Sequence, residues 1–210
     1  MILVPHGAEY HAVRRGCSGS AAASSILAVA AGSASVGALE GAAGTNFVIL
    51  GLCGALDPAL HVGDVVACES ARLASGESID FDPAFTAHVA GLTGARNGRA
   101  LTAERVVGAR DARAKLHERH GAHIVEMEGF HLAQRLTSAG CTVAMVRVVS
   151  DDAAYDLPDI AGAIGADGRL RPWTLLRAFA RAPRNATRFI ADARRALARL
   201  ESTTAKLISH

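Results

Sequence analysis

Five short apolar runs constrain this chain more than any other feature: Ile2 to Pro5, Ile26 to Ala31, Phe47 to Leu52, Val62 to Cys68 and Thr142 to Val149. Glycine or polar breaks bound them, and most lack the alternation of a strand with one wet face, so they read as strands buried on both sides, as in a parallel sheet. Between them lie alanine-rich stretches and one clear helix, Glu126 to Ser138, where Met127, Phe130, Ala133 and Leu136 recur every three residues and Leu132 widens the apolar face. Strands alternating with helices predict an α/β domain whose sheet is covered on both faces.

The remaining segments add detail. Asp80 to Gly98 reads as a loop leading into a short helix, with Phe81, Phe85, Val89 and Leu92 as its apolar pattern. Ala109 to His120 reads as a helix carrying Asp111, Arg113, Lys115 and Glu118 on a solvated face. Asp156-Leu157-Pro158 and Gly162 to Gly168 break regular structure before a long helical region, in which Pro172 suits a first turn and Pro183 divides two helices. No repeat or long linker divides the chain, so residues 1–210 are expected to form one domain, with a basic helical region over 169–210.

With 50% hydrophobic and 20% charged residues the chain has the balance of a soluble, core-forming protein, which excludes disordered and collagen-like classes. No run of about 18 apolar residues occurs, and the apolar start is too short for a signal-peptide core, so the expected location is the cytoplasm. Cys17, Cys53, Cys68 and Cys141 form no CxxC pair, and neither a zinc site nor a disulfide framework is expected. The net charge of +2 is uneven, because residues from Arg169 onward hold 10 Lys/Arg and 2 Asp/Glu, against 12 and 18 before it.

Three segments have residues suited to chemistry. Gly51 to Val66 (GLCGALDPALHVGDVV) starts at the end of a predicted strand, where Gly51 and Gly54 permit tight turns and close approach of a ligand; an ordinary strand-to-turn cluster fits equally well. Val125 to Phe130 (VEMEGF) places Glu126 and Glu128 two residues apart at a helix start, which predicts one inward and one outward carboxylate. Met145 to Ala153 (MVRVVSDDA) ends an apolar strand in Ser150, Asp151 and Asp152, where partial burial favours a raised pKa and general acid work; routine turn formation is the competing reading.

Together these segments resemble the purine nucleoside phosphorylase and methylthioadenosine/adenosylhomocysteine nucleosidase superfamily. Gly51-Leu52-Cys53-Gly54-Ala55-Leu56 with Gly63-Asp64-Val65, then Glu126-Met127-Glu128, then Arg147-Val148-Val149-Ser150-Asp151, match its motifs in order and at similar separations over about residues 1 to 160. The hopanoid-associated phosphorylase type is the most similar, through Asp156-Leu157-Pro158, Asp167-Gly168 and the arginine-rich end. The resemblance implies a three-layer αβα fold around a central mixed, mostly parallel sheet. It also implies cleavage of the N-glycosidic bond of a purine nucleoside, with adenine as base and adenosylhopane as a candidate substrate.

In that chemistry Asp151 is the general acid toward purine N7, oriented by Ser150. Glu128 accepts hydrogen bonds from the ribose hydroxyls, Met127 packs on the sugar, and Glu126 is structural or at the rim. Base recognition is assigned to the glycine turn, Cys53 and Gly54, and to Val106 and Val107 within 103–107. No aromatic residue stands in that segment, which leaves Phe81, Phe85 or Tyr155 to supply stacking, although core packing is the plainer reading for both phenylalanines.

The nucleophile is water or inorganic phosphate, the latter a co-substrate; no cofactor or metal is expected. Ile49 and Leu52 stand where the family's phosphate site has arginine and serine, so an alternative site is the backbone of Gly32-Ser33. The family's water-positioning glutamate falls within a residue of His11, with Glu9 slightly earlier, and His11 is the preferred candidate. His117, His120, His123 and His131 are expected to be solvated.

The expected partners are a small-molecule purine nucleoside and further copies of the chain, as a dimer or a trimeric or hexameric ring. Past Trp173, Leu175, Leu176, Phe179, Phe189, Ile190, Leu197 and Leu200 form an apolar stripe among arginines. Packing on its own domain is the preferred reading, with peripheral membrane contact as the other; no nucleic acid is expected. A non-catalytic nucleoside-binding or scaffold protein is the alternative to an enzyme, motivated by Ile49, Leu52 and His11.

Overall fold

The computed structural model describes residues 1–20, 25–30, 35, 39, 45–157 and 183–209. Gly32, Ser33 and residues 158–182, with Pro172 and the first part of the apolar stripe, lie outside the described residues. Eight strands are present among the described residues: β1 (Ile2–Pro5), β2 (Ile26–Val29), β3 (Asn46–Ala55), β4 (Val65–Leu73), β5 (Ser78–Asp80), β6 (Arg96–Thr102), β7 (Ile124–Glu126) and β8 (Thr142–Asp151). The described helices are α1 (Ala8–Gly16), α2 (Pro83–Thr93), α3 (Arg110–His120), α4 (Gly129–Ser138) and α5 (Pro183–Ile208).

The sheet is mixed and mostly parallel. β3 runs parallel to β1 and β8, β4 parallel to β6, and β6 parallel to β7, whereas β4–β8, β4–β5 and β3–β7 are antiparallel. Through these pairings β3, β8, β4, β6 and β7 close a ring, with β1 and β2 extending it from β3 and β5 from β4. Helices cover both faces, as expected.

The period of two along β3 explains the layers. Phe47, Ile49 and Cys53 join one apolar cluster with Phe130, Leu132 and Leu136 of α4. Val48 and Leu50 join the other, with Ala12 and Val13 of α1 and Ala196 and Leu200 of α5. The described part of the apolar stripe therefore packs on the domain through Leu197 and Leu200, while Ile190 is exposed.

Local signals set the ends of α2 plainly: the Asp82 side chain accepts from Phe85 N at 2.7 Å, Pro83 opens the first turn, and Gly94 closes the helix at φ 67°.

Expected boundaries shift: β4 runs over Val65–Leu73 instead of Val62 to Cys68, and two further shifts bear on the site. Glu126 ends β7 instead of opening a helix, and α4 starts at Gly129. β3 does not turn at its glycines but continues through Gly51 and Gly54 to Ala55, with a register irregularity between Cys53 and Gly54. The reason is steric and lies in the strand beside it.

Candidate active site

Along the parallel β3–β8 ladder Gly51 pairs with Arg147 and Gly54 with Asp151. A Cβ on Gly51 would collide with Arg147 Nη1 and stand 2.7 Å from Glu9 Oε2. One on Gly54 would stand 2.8 Å from Asp151 Oδ2 and 3.3 Å from Arg113 Nη2. The glycines clear space for side chains crossing the strand, which is one of the uses of a strand glycine.

Arg147 is fully buried, 2.5 Å from Glu126 Oε2 and 3.3 Å from Glu128 Oε2. Glu126 also accepts from the N–H groups of Glu128 and Gly129, at 3.0 and 2.6 Å, and from the Thr102 hydroxyl. Both carboxylates thus point inward, correcting the expectation of one inward and one outward. The reason is that Glu126 belongs to a strand and Glu128 to the cap of α4, so helical spacing does not apply between them.

Burial works against the Arg147 charge, but Glu126, Glu128 and Glu9 outweigh it and hold the guanidinium protonated. Its Nε and Nη1 have no hydrogen-bond partner among the described residues. Beside Nη1, Glu9 Oε2 accepts from Leu52 N at 2.8 Å. Burial first, and the Glu128 charge second, push the Glu9 carboxyl up to about 7, with Arg147 opposing.

At the end of β8, Ser150 Oγ lies 2.7 Å from Asp151 Oδ1 and 3.0 Å from Cys53 O. One hydroxyl proton cannot serve both acceptors, so when Ser150 donates to Cys53 O its oxygen can accept a proton held by Asp151. Burial raises the Asp151 carboxyl above the usual range, although Arg113 and Ser150 pull the other way.

Arg113 Nη2 stands 2.5 Å from Asp151 Oδ2. Its Nε donates to Val107 O at 2.8 Å and its Nη1 to Asp152 O at 3.0 Å. Only 1% exposed, Arg113 is not on a solvated face, because the loops 103–109 and 151–157 fold over that side of α3. They are stitched together by Leu157 N to Gly108 O at 2.9 Å and Arg110 N to the Asp156 carboxylate at 2.8 Å. A cleft of about 120 Å³ opens beside Asp151, with Tyr155, Leu157 and Phe189 in its wall. Arg188 of α5 stacks over the Tyr155 ring at 3.2 Å.

The structure thus gathers Asp151, Ser150, Glu128, Gly54 and the Cys53 carbonyl around β3 and β8. Val106 and Val107 are half-buried in the loop that Arg113 holds, and Met127 is half-buried between the two glutamates. The Cys53 side chain belongs to the core, and burial pushes its thiol far up. His11 is exposed, because α1 buries the face of Ala12 and Val13, which Glu9 shares and His11 does not. His117, His120, His123 and His131 are all half-buried rather than solvated, with His117 Nδ1 2.7 Å from Ala122 O and His123 Nδ1 accepting from Arg99 N. Phe81 is buried in the core.

Sequence reasoning passed over Arg147 and Arg113 as functional candidates. A lone arginine in the apolar strand TVAMVRVVSD is a signal that such a charge has buried partners. Nothing in RDARAKLHERH distinguishes Arg113 from its neighbours.

The sequence matches the Phosphorylase superfamily over residues 2–195. No curated protein matches it by sequence. Among solved structures, the 5′-methylthioadenosine nucleosidase of Arabidopsis thaliana superposes with a TM-score of 0.67 at 14% identity, covering 99% of this chain and 93% of that one. The 5′-methylthioadenosine/S-adenosyl homocysteine nucleosidase of Helicobacter pylori gives 0.66 at 14%, covering 99% and 94%. The futalosine hydrolase of the same organism gives 0.67 at 13%, again covering 99% and 94%. These likenesses are of fold, and with the sequence match over nearly the whole length they lead to one conclusion: the chain belongs to the phosphorylase superfamily.

Proposed function

We propose that this protein hydrolyses the N-glycosidic bond of a purine ribonucleoside. The observation that carries the reading is the seating of Glu9 and Arg147 over Gly51, three residues along β3 from Asp151 over Gly54. At about 3.3 Å per residue the two groups are spaced about 10 Å apart along the strand, so a nucleoside can meet one with its sugar and the other with its base.

Protonated Asp151 gives its proton to purine N7 as the C1′–N9 bond breaks and the bonding electrons pass to the base, which leaves neutral. Glu128 holds the ribose hydroxyls as positive charge develops on the sugar. Water adds to C1′ and loses its proton to Glu9, whose carboxyl near 7 suits a base at neutral pH. The products are the free purine and the free sugar.

Water is favoured over phosphate by charge. Glu126 and Glu128 already balance Arg147, and Glu9 adds a third carboxylate, so a phosphate dianion would meet like charge. The unpartnered Nη1 of Arg147 suits a neutral acceptor instead. The Ser150 hydroxyl and Asp151, both carried on β8, support the acid role.

The test is incubation with inosine, adenosine, methylthioadenosine and adenosylhopane, the last three carrying the adenine base and the last also the hopanoid chain that the resemblance implies. With ¹⁸O-labelled water, free sugar labelled at C1′ is expected in phosphate and phosphate-free buffer alike. Sugar 1-phosphate formed only with phosphate overturns the water assignment, and no base release from any nucleoside overturns the reading.

A further inference from the structure

Glu128 is the N-cap residue of α4, the position whose side chain ordinarily turns back to accept from a backbone N–H two or three residues on. Among the described residues it makes no such bond. The opening turn of a helix nevertheless leaves N–H groups without intrahelical acceptors, and buried ones must find partners elsewhere. Two other side chains supply them: Glu126 Oε2 accepts from Glu128 N at 3.0 Å and from Gly129 N at 2.6 Å, and Thr102 Oγ1 accepts from Phe130 N at 3.0 Å.

Thr102 ends β6 opposite Glu126 in the parallel β6–β7 ladder and is only 2% exposed. A hydroxyl has one proton to give and lone pairs with which to accept. Thr102 gives its proton to Glu126 Oε1 and uses a lone pair on Phe130 N. One side chain therefore fixes the carboxylate that caps two N–H groups of α4 and caps the next one itself. The Glu128 carboxylate, relieved of that duty, lies 3.3 Å from Arg147 Nη2, on the guanidinium whose Nη1 stands over Gly51.

We propose that Thr102 is a positioning residue: by capping α4 in place of Glu128, it keeps the Glu128 carboxylate turned toward the ribose hydroxyls. This rests on the proposed N-glycosidic cleavage. Without the Thr102 hydroxyl, Phe130 N would be buried with no acceptor, which is costly. Phe130 is the second residue of α4, within reach of an N-cap side chain, so Glu128 is the group that turns to it. The sugar then loses its carboxylate.

The test compares kcat/KM for adenosine and 2′-deoxyadenosine in the natural protein, Thr102→Val and Thr102→Ser. Valine has the branched shape of threonine without the hydroxyl, and serine restores the hydroxyl. The ribo-to-deoxy ratio is expected to fall by at least about tenfold in Thr102→Val and to be rescued in Thr102→Ser. A general loss from weakened folding acts on both substrates and cancels in the ratio. An unchanged ratio in Thr102→Val overturns the proposal, as does an equal fall in Thr102→Ser. Should Thr102→Val not fold, Thr102→Cys, whose thiol is a weak donor and acceptor, is expected to give a ratio below that of Thr102→Ser; a ratio no lower overturns the proposal. A crystal structure of Thr102→Val, or of Thr102→Cys in its place, reads the positioning without turnover. The Glu128 carboxylate is expected within hydrogen-bond distance of Phe130 N, and a Glu128 still beside Arg147 overturns the proposal. If the natural protein cleaves no nucleoside while Glu128 turns in the variant, the capping role stands and the cleavage reading falls, so the two failures are distinguishable.

Discussion

Glu9 Oε2 accepts a hydrogen bond from the backbone N–H of Leu52 at 2.8 Å, which ties α1 to the glycine stretch of β3 and sets a carboxylate beside the Arg147 guanidinium. Between pH 4.5 and about 7 the folded protein keeps the Glu9 proton that an unfolded chain has lost. Stability from this group therefore falls as pH rises through that window, by on the order of 3 kcal/mol once the carboxyl is ionised.

Glu9→Gln is thus expected to melt at a higher temperature than the natural protein at pH 8, with the advantage fading toward pH 4.5. The same substitution removes the base, so turnover falls by about 10²–10⁴-fold and the rise of kcat/KM with pH near 7 disappears. Thermal melts and rate profiles across pH check both, and a variant with unchanged activity removes Glu9 from the mechanism.

Asp151→Asn takes away the acid and, above the pH at which Asp151 ionises, leaves the Arg113 charge buried without its counterion. The expected result is a fall in kcat of about 10²–10⁴-fold together with a loss of about 3–5 kcal/mol in urea unfolding. An inactive variant of undiminished stability would mean that the Arg113–Asp151 pair contributes nothing net to the fold.

The strands buried on both sides were legible because their runs are mostly apolar, and β1 has the predicted ends. β6 was not, because RNGRALT has polar residues at its exposed positions and no apolar run until its end. Ile124-Val125 was too short a run to separate from the helix after it. Within the site, the Ser150-Asp151 strand end was visible from its chemistry, whereas the choice between His11 and Glu9 depended on which face of α1 is buried. The spacing of Glu9 with Ala12, Val13 and Gly16 holds that information, but only once the segment is taken as a helix. Arg113 was hidden because its burial is made by loops distant in sequence, including Val107 and Asp152.

Glu126 and Glu128 share Arg147 but differ in what else they hold. The Glu126 carboxylate accepts from Thr102, two backbone N–H groups and Arg147. Glu126→Gln turns an amide donor toward donors and removes a buried counterion, so a stability loss of about 3–5 kcal/mol is expected. Glu128→Gln is expected to act on the sugar instead, lowering kcat/KM for ribonucleosides more than for 2′-deoxynucleosides. Unfolding curves beside kinetics with matched ribo and deoxy substrates separate the roles, and an equal loss on both sugars removes the 2′-hydroxyl contact.

Gly51 has no left-handed backbone to maintain, so its requirement is for space alone. The Cβ of Gly51→Ala would meet Arg147 Nη1 and the Glu9 carboxylate, and the fully buried guanidinium, packed beside Glu126, has little room to retreat. Such overpacking typically costs about 1–3 kcal/mol. Shifting Arg147 and Glu9 apart also separates the groups proposed to handle water, so kcat should drop while the Asp151 end is left intact. Purine binding measured by calorimetry is therefore expected to survive in Gly51→Ala as hydrolysis fails. In Gly54→Ala, whose Cβ presses on Asp151 Oδ2, binding and hydrolysis should fail together. If the two variants lose the same functions, the division of the site between a sugar end at Gly51 and a base end at Gly54 is wrong.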